Sequence, residues 1–569
     1  MGRFNLLDEP WISVIVDAKG GTEEVSLKQL FSHAQEYRGL GGDTKTQDFA
    51  VFRVLLSVLH TVFSRFDANG EEYGYFDLDE KWVQTAAVED EDDQREYLEN
   101  LYATWIDLWE AGEFPSIVQE YLEKWRDSFY LFHEETPFFQ VTAEDLSPHK
   151  LNKKKAGSIS GKNLNRLISE SANKIALFSP KYSARSNKEL LTPASVARWL
   201  ITFQGYTGLS DKVIFGSEKY KASKGWLFDI GGIYIRGENL FESLLLNCAL
   251  VHPEPKYSCK PQRPAWEFTT SERVQRHLNE PEIDNLAELY TSWSRAVHID
   301  PENDPSEPFT MDIVKLPDIR HEDQFLELMS LWRYNTTGEN KDHFTPRKHR
   351  INQAVWRSFG LITLSQRAVE ETKTLPQRKP GIMDWLNTIK EHTGDITLSL
   401  QAISMQDDGN ATSWVPVDEI YDVLNIRDAI LTDVQEAGWV PRINDVVEET
   451  KDVVSRTYRG FIANIKEIRN MSTDGFVNGK TEELYYLIDQ PFREWLASLR
   501  PEDSKDERIF AWRDTLKKLV MTQAGQVLQE AGPRDYTGIV KDDRMHNIAT
   551  AYNRFTYYLN KQLGSKGGE

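Results

Sequence analysis

Cysteine is almost absent from this sequence, which has two such residues in 569. Cys248 and Cys259 form neither a CxxC pair nor a disulfide framework, so we expect two ordinary thiols in a reducing compartment. Long apolar runs are also lacking, and Asp8 and Glu9 lie where a signal peptide needs apolar residues. We therefore expect a soluble, cytoplasmic protein without a membrane partner.

Local catalytic motifs are lacking as well. An HExxH zinc helix that would begin at His133 has Pro137 at its fifth position. The phosphate-binding loop suggested by Lys480 has Asp474 in place of its first glycine. A nucleophile elbow would need serine where Ile159 lies. The sequence therefore predicts no catalytic residue, no metal site and no cofactor. An active site dispersed along the chain would leave no local motif.

Positive charge is scarce overall, since the formal net charge is -22, and this argues against a general nucleic-acid binder. Two stretches are nevertheless basic. Residues 332–357 contain Arg333, Lys341, Arg347, Lys348, Arg350 and Arg357 beside Glu339 and Asp342. Residues 149–188 have Glu170 as their one acidic residue, beside Lys150, Lys153, Lys154, Lys155, Lys162, Arg166, Lys174, Lys181, Arg185 and Lys188. Acidic surface elsewhere would restrict RNA or DNA to these stretches; the alternative is two solvated loops.

The N-terminal part of the chain mixes strand and helix patterns. A short β-branched run followed by Gly20 and Gly21 predicts a hairpin, and apolar residues at helical spacing predict a helix from Asp48 to Phe63. The first 400 or so residues are otherwise irregular. We expect a large mixed α/β domain over residues 1–415.

The C-terminal part has a different, regular pattern. Apolar stripes at helical spacing are separated by connections that contain glycine or proline, which predicts an all-α four-helix bundle over residues 416–569. The overall fold class is thus α+β. The stripes consist of Val446, Thr450, Val453 and Thr457; Leu484, Leu487, Ile488, Trp495, Leu496 and Leu499; Trp512, Leu516, Leu519, Val520, Val527 and Leu528; and Ile548, Ala551, Tyr552, Phe555 and Leu559.

Two segments carry a resemblance to a known family. Residues 5–12, NLLDEPWI, and residues 129–140, FYLFHEETPFFQ, resemble segments of the large-subunit (CasA) family of type I-E CRISPR Cascade complexes. The pattern from Ile235 to Asn247 and the C-terminal stripes fit the same family. The resemblance covers nearly the whole chain but is weak between residues 250 and 400.

This resemblance implies a non-catalytic subunit that holds the 5′ handle of a guide RNA and reads a protospacer-adjacent motif (PAM) in double-stranded DNA. It also implies that the subunit helps to open the duplex for R-loop formation and supports the recruitment of a helicase-nuclease. The expected partners are the guide RNA, double-stranded target DNA with a PAM, the other Cascade subunits and the recruited helicase-nuclease. A rival hypothesis is a cytoplasmic metabolic enzyme with a dispersed active site, whose basic loops bind a phosphorylated substrate.

The resemblance also suggests residues for the guide handle. The family's handle loop has an aromatic after a small residue, which matches Phe178, with Lys174 and Lys181 placed to neutralise phosphate. Pro180 lies where family members often have asparagine, and the alternative role for Phe178 is a core residue. Further contacts to a nucleic-acid backbone are expected from Lys153, Lys154, Lys155, Lys162 and Arg166.

For PAM reading, the family uses a glycine-containing loop, a lysine in the minor groove and a short wedge. The loop matches either residues 221–225 or residues 205–208, and the first is favoured because it directly precedes the matched segment. Lys341 is the best-placed lysine, unless it is an ordinary surface residue. The turn of residues 408–411 fits the wedge, with asparagine where the family commonly has glutamine, or is a plain exposed turn. The expected DNA contacts are Lys221, Lys224, Gly225, Lys341, Gly409, Asn410 and Ala411.

Overall fold

The computed structural model describes residues 2–164, 189–208, 213–218, 220, 224–279, 282–366, 374–394, 396–409 and 415–564. Helices and short strands alternate along this part of the chain, which confirms the predicted mixed α/β class. None of the described helices is long and apolar enough to cross a lipid bilayer.

The strands are short apart from two near residue 410. They are β1 (Arg3–Asn5), β2 (Ile12–Ile15), β3 (Thr22–Val25), β4 (Gly39–Leu40), β5 (Tyr130–Phe132), β6 (Gly157–Ser160), β7 (Gly232–Arg236), β8 (Arg295–His298), β9 (Thr310–Lys315), β10 (Trp332–Tyr334), β11 (Phe344–Pro346), β12 (Thr397–Asp407), β13 (Pro416–Arg427), β14 (Ile539–Lys541) and β15 (Arg544–His546).

The α-helices of the central part of the chain are mostly short, and long helices lie near both ends. They are α1 (Leu27–Ser32), α2 (Lys45–Phe63), α3 (Glu91–Ala111), α4 (Ile117–Lys124), α5 (Gly161–Leu164), α6 (Pro193–Tyr206), α7 (Leu240–Asn247), α8 (Pro255–Ser258), α9 (Thr270–Leu278), α10 (Leu286–Tyr290), α11 (Phe359–Thr363), α12 (Gly381–Thr393), α13 (Asp428–Leu431), α14 (Trp439–Asp452), α15 (Arg459–Ile468), α16 (Gly475–Ala497), α17 (Lys505–Gln529), α18 (Pro533–Thr537) and α19 (Ile548–Leu563).

The chain divides into two compact units. The first takes in the described residues of Met1–Ile351, Ser365–Thr393 and Ser399–Val423, and the second those of Asn352–Leu364, Gly394–Leu398 and Leu424–Glu569. The sequence analysis placed one boundary after residue 415. The division in the structure is interleaved, because short segments before that point belong to the C-terminal unit.

Helix α2 forms the centre of the first unit. Nearly all its residues are buried, including polar ones such as Arg53 and His60, and Thr44 caps its first turn. It packs against α6 and α10, and Phe49 and Phe52 contact the ring of Tyr234 on β7. The helix predicted from Asp48 to Phe63 is thus confirmed, with a start three residues earlier.

Small sheets surround this helix. Strands β2 and β3 form the predicted N-terminal hairpin, in which Gly20 has the positive φ of 81° that its turn requires. Strand β12 lies between β13 and β7, and its antiparallel register with β7 runs from Ser399 opposite Arg236 to Ile403 opposite Gly232.

The described part of the second unit has four long helical segments. Helices α14 and α15 continue through a π-helical turn, Val453–Tyr458, and the other segments are α16, α17 and α19. Helix α15 packs against α16 and α19, and α17 packs against α16 and α19. Most of the predicted apolar stripe residues are buried, among them Ile488, Leu516 and Phe555, whereas Leu487 is 38% exposed.

Candidate nucleic-acid interface

A groove of about 1300 Å³ opens on the first unit, and the second basic stretch supplies much of its lining. Residues 317–322 form another side, and Lys224, Asp229 and Gln406 complete it. Acidic side chains, such as Glu322 and Glu339, are also present. The groove is lined by the cationic or titratable side chains of Lys224, Arg320, His321, Arg333, Arg347, Lys348, His349 and Arg350.

Three arginines of this groove have no acidic partner within the described part of the chain. Arg333 and Arg350 are exposed and Arg347 is half-buried, and none of the three forms an ion pair with a described carboxylate. Burial lowers the pKa of the Arg347 guanidinium, and the positive charges of Arg350 and Arg333 lower it further. Because like charges held together repel, this arginine cluster (Arg333, Arg347 and Arg350) is suited to an anionic ligand.

The lysines of the groove are held by carboxylates instead. Lys224 pairs with Asp229, and Lys348 Nζ lies 2.7 Å from Asp407 Oδ2 and 3.9 Å from Asp229 Oδ1. The Lys348 ammonium also lies 4.0 Å from the ring centre of Phe228. These contacts form one network, the Lys348 network (Lys224, Asp229, Lys348 and Asp407).

The two glycine loops considered as PAM readers are neighbours. Gly225 is buried, and its N–H donates a hydrogen bond of 2.8 Å to the carbonyl oxygen of Thr207. A Cβ atom on Gly225 would lie 2.2 Å from the carbonyl oxygen of Gly205. Glycine is therefore required at position 225 because two backbone segments lie close together there. Lys224 lines the groove. Lys221 lies outside the described residues.

Lys341 lies in the hairpin that joins β10 to β11. Its side chain is 63% exposed, and its ammonium is 3.8 Å from Asp342. Gly338 and Asp342 have positive φ angles of 85° and 66°, which bend the connection. Because Asn340 of the same connection lines the groove, Lys341 lies on the groove's rim.

The described residues on either side of the predicted wedge belong to two long strands, β12 and β13, which were not predicted from the sequence. Gly409 has a φ of 67°, and its N–H donates to Asp407 Oδ1 at 2.9 Å. The N–H of Asp408 donates to the carbonyl oxygen of Val415 across the hairpin. Asn410 and Ala411 lie outside the described residues, so the structure defines the base of this hairpin, the 407–415 hairpin.

Strand β13 attaches that hairpin to the centre of the unit. One carboxylate oxygen of Glu419 accepts the N–H of Thr46 at 2.9 Å, and the other accepts the N–H of Lys45 at 3.1 Å. N–H groups in the first turn of a helix have no partner within that helix, and the helix dipole favours a carboxylate at this end. Strand β13 is therefore anchored on α2, a helix whose residues are nearly all buried.

The first basic stretch is described only in part. Lys153, Lys154 and Lys155 are exposed in the loop before β6, and Lys162 is half-buried in α5. The predicted contacts Arg166, Lys174, Phe178 and Lys181 lie outside the described residues. Arg357 of the second stretch belongs to the second unit, where its guanidinium lies 3.5 Å from the ring centre of Tyr485.

A family comparison identifies the chain. The family model described as CRISPR-associated protein Cse1 matches residues 5–523. The chain belongs to the Cse1 family. A curated relative, CRISPR-associated protein CasA/Cse1 of Thermus thermophilus, is 29% identical over 273 residues, which is 47% of this chain and 42% of that protein. The alignment thus spans less than half of the relative.

Solved structures share the Cse1 fold over the whole length. Thermobifida fusca Cse1 has a TM-score of 0.73 at 22% identity, with 99% of each chain covered. Thermus thermophilus CasA has a TM-score of 0.64 at 17% identity, with 99% of each chain covered. A chain of a structure described as a CRISPR RNA-guided surveillance complex has a TM-score of 0.63 at 15% identity, covering 98% of this chain and 100% of that one.

Some groove residues of this Cse1-family chain escaped the sequence analysis. Arg320 follows Pro317 in a loop outside both basic stretches, and Asp229 lies in a short 3-10 helix after Gly225. A single charged residue in an irregular segment carries no pattern by which it could be found. In the described part of the chain, no group of three or more His, Cys, Asp or Glu residues is arranged to hold a metal ion.

Proposed function

We propose that the chain is the large, non-catalytic subunit of a type I-E CRISPR RNA-guided surveillance complex. In that role it recognises the PAM in double-stranded DNA, helps to open the duplex for R-loop formation and supports the recruitment of a helicase-nuclease. Membership of the Cse1 family supports this role, as does the fold shared with a chain of a CRISPR RNA-guided surveillance complex. Base pairing with the guide RNA would then read the target sequence.

The arginine cluster is the observation that carries the proposal. On a chain of net charge -22, it concentrates positive charge without described acidic partners in one groove. A guanidinium binds phosphate through two parallel hydrogen bonds and stays charged at all relevant pH values. We therefore assign the cluster to the phosphate backbone of the PAM-bearing duplex.

We assign the reading and the opening of the duplex to the hairpins around the groove. Lys341, exposed on the rim, would enter the minor groove, where readout is degenerate and several PAMs are tolerated. The 407–415 hairpin, with Gly409, Asn410 and Ala411, would be the wedge that intrudes between base pairs. Lys224, with Lys221 and Gly225 in the same loop, would contact the duplex near the PAM.

The guide RNA would bind at the first basic stretch. Exposed lysines in the loop before β6 are available for phosphate contacts. The long C-terminal helices would form the family's four-helix bundle. The proposed guide contacts are Lys153, Lys154, Lys155, Lys162, Arg166, Lys174, Phe178 and Lys181.

Neutralising the arginine cluster tests the proposal. The complex is assembled from this chain, a guide RNA and the partner subunits, and Arg333, Arg347 and Arg350 are changed together to glutamine. We expect normal guide-RNA incorporation but at least about tenfold weaker binding of PAM-bearing duplex. The log-log salt slope should fall by about 0.9 for each phosphate that is no longer neutralised.

A matched control changes three exposed arginines of other surfaces, Arg95, Arg442 and Arg456, to glutamine. These substitutions remove the same charge, so binding should stay near that of the unmodified complex. Equal losses in both triple variants would show a general charge effect. An unchanged salt slope in the groove variant, or a chain that binds no guide RNA and no partner subunit, would contradict the proposed function.

A further inference from the structure

The Lys348 network joins the two elements of the groove that the proposed function assigns to DNA. We propose that Lys348 is a positioning residue that couples the loop around Lys224 to the base of the 407–415 hairpin, at Asp407 and Gly409, so that duplex contact and duplex opening act together. The inference rests on the proposed function and deepens it. Its basis is the set of contacts that Lys348 makes on both sides.

On one side, Lys348 faces the loop that follows Lys224. Lys224 pairs with Asp229, and Lys348 Nζ lies 3.9 Å from the same carboxylate. Burial raises the pKa of Asp229, but the charges of Lys224, His321 and Lys348 outweigh it, and the pKa lies below its usual range. Asp229 therefore stays ionised and holds both lysines against the ring of Phe228.

On the other side, Lys348 holds the base of the hairpin. Its ion pair with Asp407 is 2.7 Å long, and the two side chains are 20% and 23% exposed. Fully exposed ion pairs are screened and contribute little, whereas a pair shielded to this degree is screened less. Lys348 therefore fixes where the Asp407 carboxylate lies.

Asp407 passes this constraint on to Gly409, the last described residue before the tip. Its second oxygen, Oδ1, accepts the N–H of Gly409 at 2.9 Å, and Gly409 is in the left-handed region with a φ of 67°. A displacement of the carboxylate would thus displace Gly409. Because Lys348 directly follows Arg347 of the arginine cluster, a duplex bound there is held in register with the hairpin.

Two single variants and their combination test this coupling in the assembled complex. Lys348→Met removes the ammonium. Asp407→Asn removes the charge but keeps an amide oxygen for the N–H of Gly409. Lys390→Met is the matched control, because that lysine contacts the neutral Asn387.

Two duplexes separate contact from opening. The first carries a PAM beside positions mismatched to the guide, so its binding reports PAM contact alone. The second is fully matched, with 2-aminopurine beside the PAM to report opening. We expect each single variant to slow opening by about tenfold, the usual scale for residues in contact, and the double variant to be no slower than either. Asp407→Asn should bind the first duplex within about twofold of the unmodified complex.

The alternative outcomes are distinct. Opening at the unmodified rate in either single variant, or losses that multiply in the double variant, would overturn the coupling while the proposed function stands. An unmodified complex that neither prefers a PAM nor opens the matched duplex would contradict both the coupling and the proposed function. Should Lys348→Met lower the thermal midpoint of the chain, Asp407→Asn decides the question, since the amide keeps an oxygen that accepts the N–H of Gly409.

Discussion

The interiors of the two units are built differently. The first unit buries both side chains of the ion pairs Arg53–Glu327, Arg65–Glu267 and Arg273–Glu288, which are almost inaccessible to solvent. The second unit packs apolar stripes of long helices, and its ion pairs, such as Arg513–Glu449, retain exposure. A buried ion pair stabilises a fold only when its two side chains are placed accurately. The stability of the first unit therefore depends on side-chain positions, and that of the second unit on the total apolar volume of its core.

This dependence reaches the candidate interface. Glu327 accepts two hydrogen bonds from Arg53 and a third, of 2.6 Å, from Trp226 Nε1. Trp226 follows Lys224 and Gly225 and stacks on His321 of the groove. The buried ion pair therefore fixes the segment from which Lys224 faces the groove. Polar interiors of this kind are costly to build, and here one supports a binding surface.

The largest effect that this comparison predicts is on stability. In Glu267→Gln, the guanidinium of Arg65 remains buried without its negative partner, and Tyr121 Oη keeps an acceptor of lower charge. We expect a loss of about 3–5 kcal/mol in the free energy of unfolding of the first unit. The measurement is urea unfolding of the full chain, monitored with one probe in each unit.

Glu449→Gln is the control in the second unit. Its partner, Arg513, is one-third exposed, so water solvates the guanidinium in place of the carboxylate and the cost should stay below about 1 kcal/mol. Similar losses for both variants would show that the two interiors do not differ in the way described.

A second prediction concerns acid. Burial lowers the pKa of His60 to about 3, with the charge of His252 as a further cause, and burial lowers the pKa of His252 to about 4. Both groups are neutral in the folded first unit and take up protons on unfolding below about pH 6.5, so their stabilising effect is lost as pH falls. At pH 5, each histidine should lower the free energy of unfolding by on the order of 2 kcal/mol relative to pH 7.

Urea midpoints at pH 7 and pH 5 check this effect. His60→Gln, which has no charge at either pH, should reduce the difference between the two midpoints, whereas the same change at the exposed His392 should leave it intact. An acid dependence that is unaltered in His60→Gln would mean that other groups of the first unit are responsible.

The same contrast explains how far the sequence analysis reached. Periodicity is a local property, and it located the long helices of the second unit and α2 of the first. The buried pairs of the first unit join residues 202 and 274 positions apart, and no local pattern reports such a partner. The fold of the first unit was therefore predictable only as a class.

The candidate interface was predictable to a similar, partial degree. Charge density pointed to the stretch that lines the groove, but Arg320 and Asp229 enter it from segments without a pattern. The glycine pattern at Gly225 was ambiguous, because a glycine required by a neighbouring backbone and one required by a ligand look alike in a sequence. Strands β12 and β13 were missed, although the turn between them was expected.

The smallest expected effect concerns the exposed lysines before β6, which we compare with the arginine cluster of the same unit. Lys153, Lys154 and Lys155 lie on an open loop, without the concave surroundings of the arginine cluster. Changing all three to glutamine should leave stability within about 0.5 kcal/mol and weaken guide-RNA binding at low salt by less than about tenfold. The log-log salt slope should become shallower by about 0.7 for each phosphate of the single-stranded guide RNA that is no longer neutralised, because fewer counterions are released. The same change at Lys517, Lys518 and Lys561 of the second unit is the control, and an unchanged slope in the loop variant would show that its lysines are only solvated.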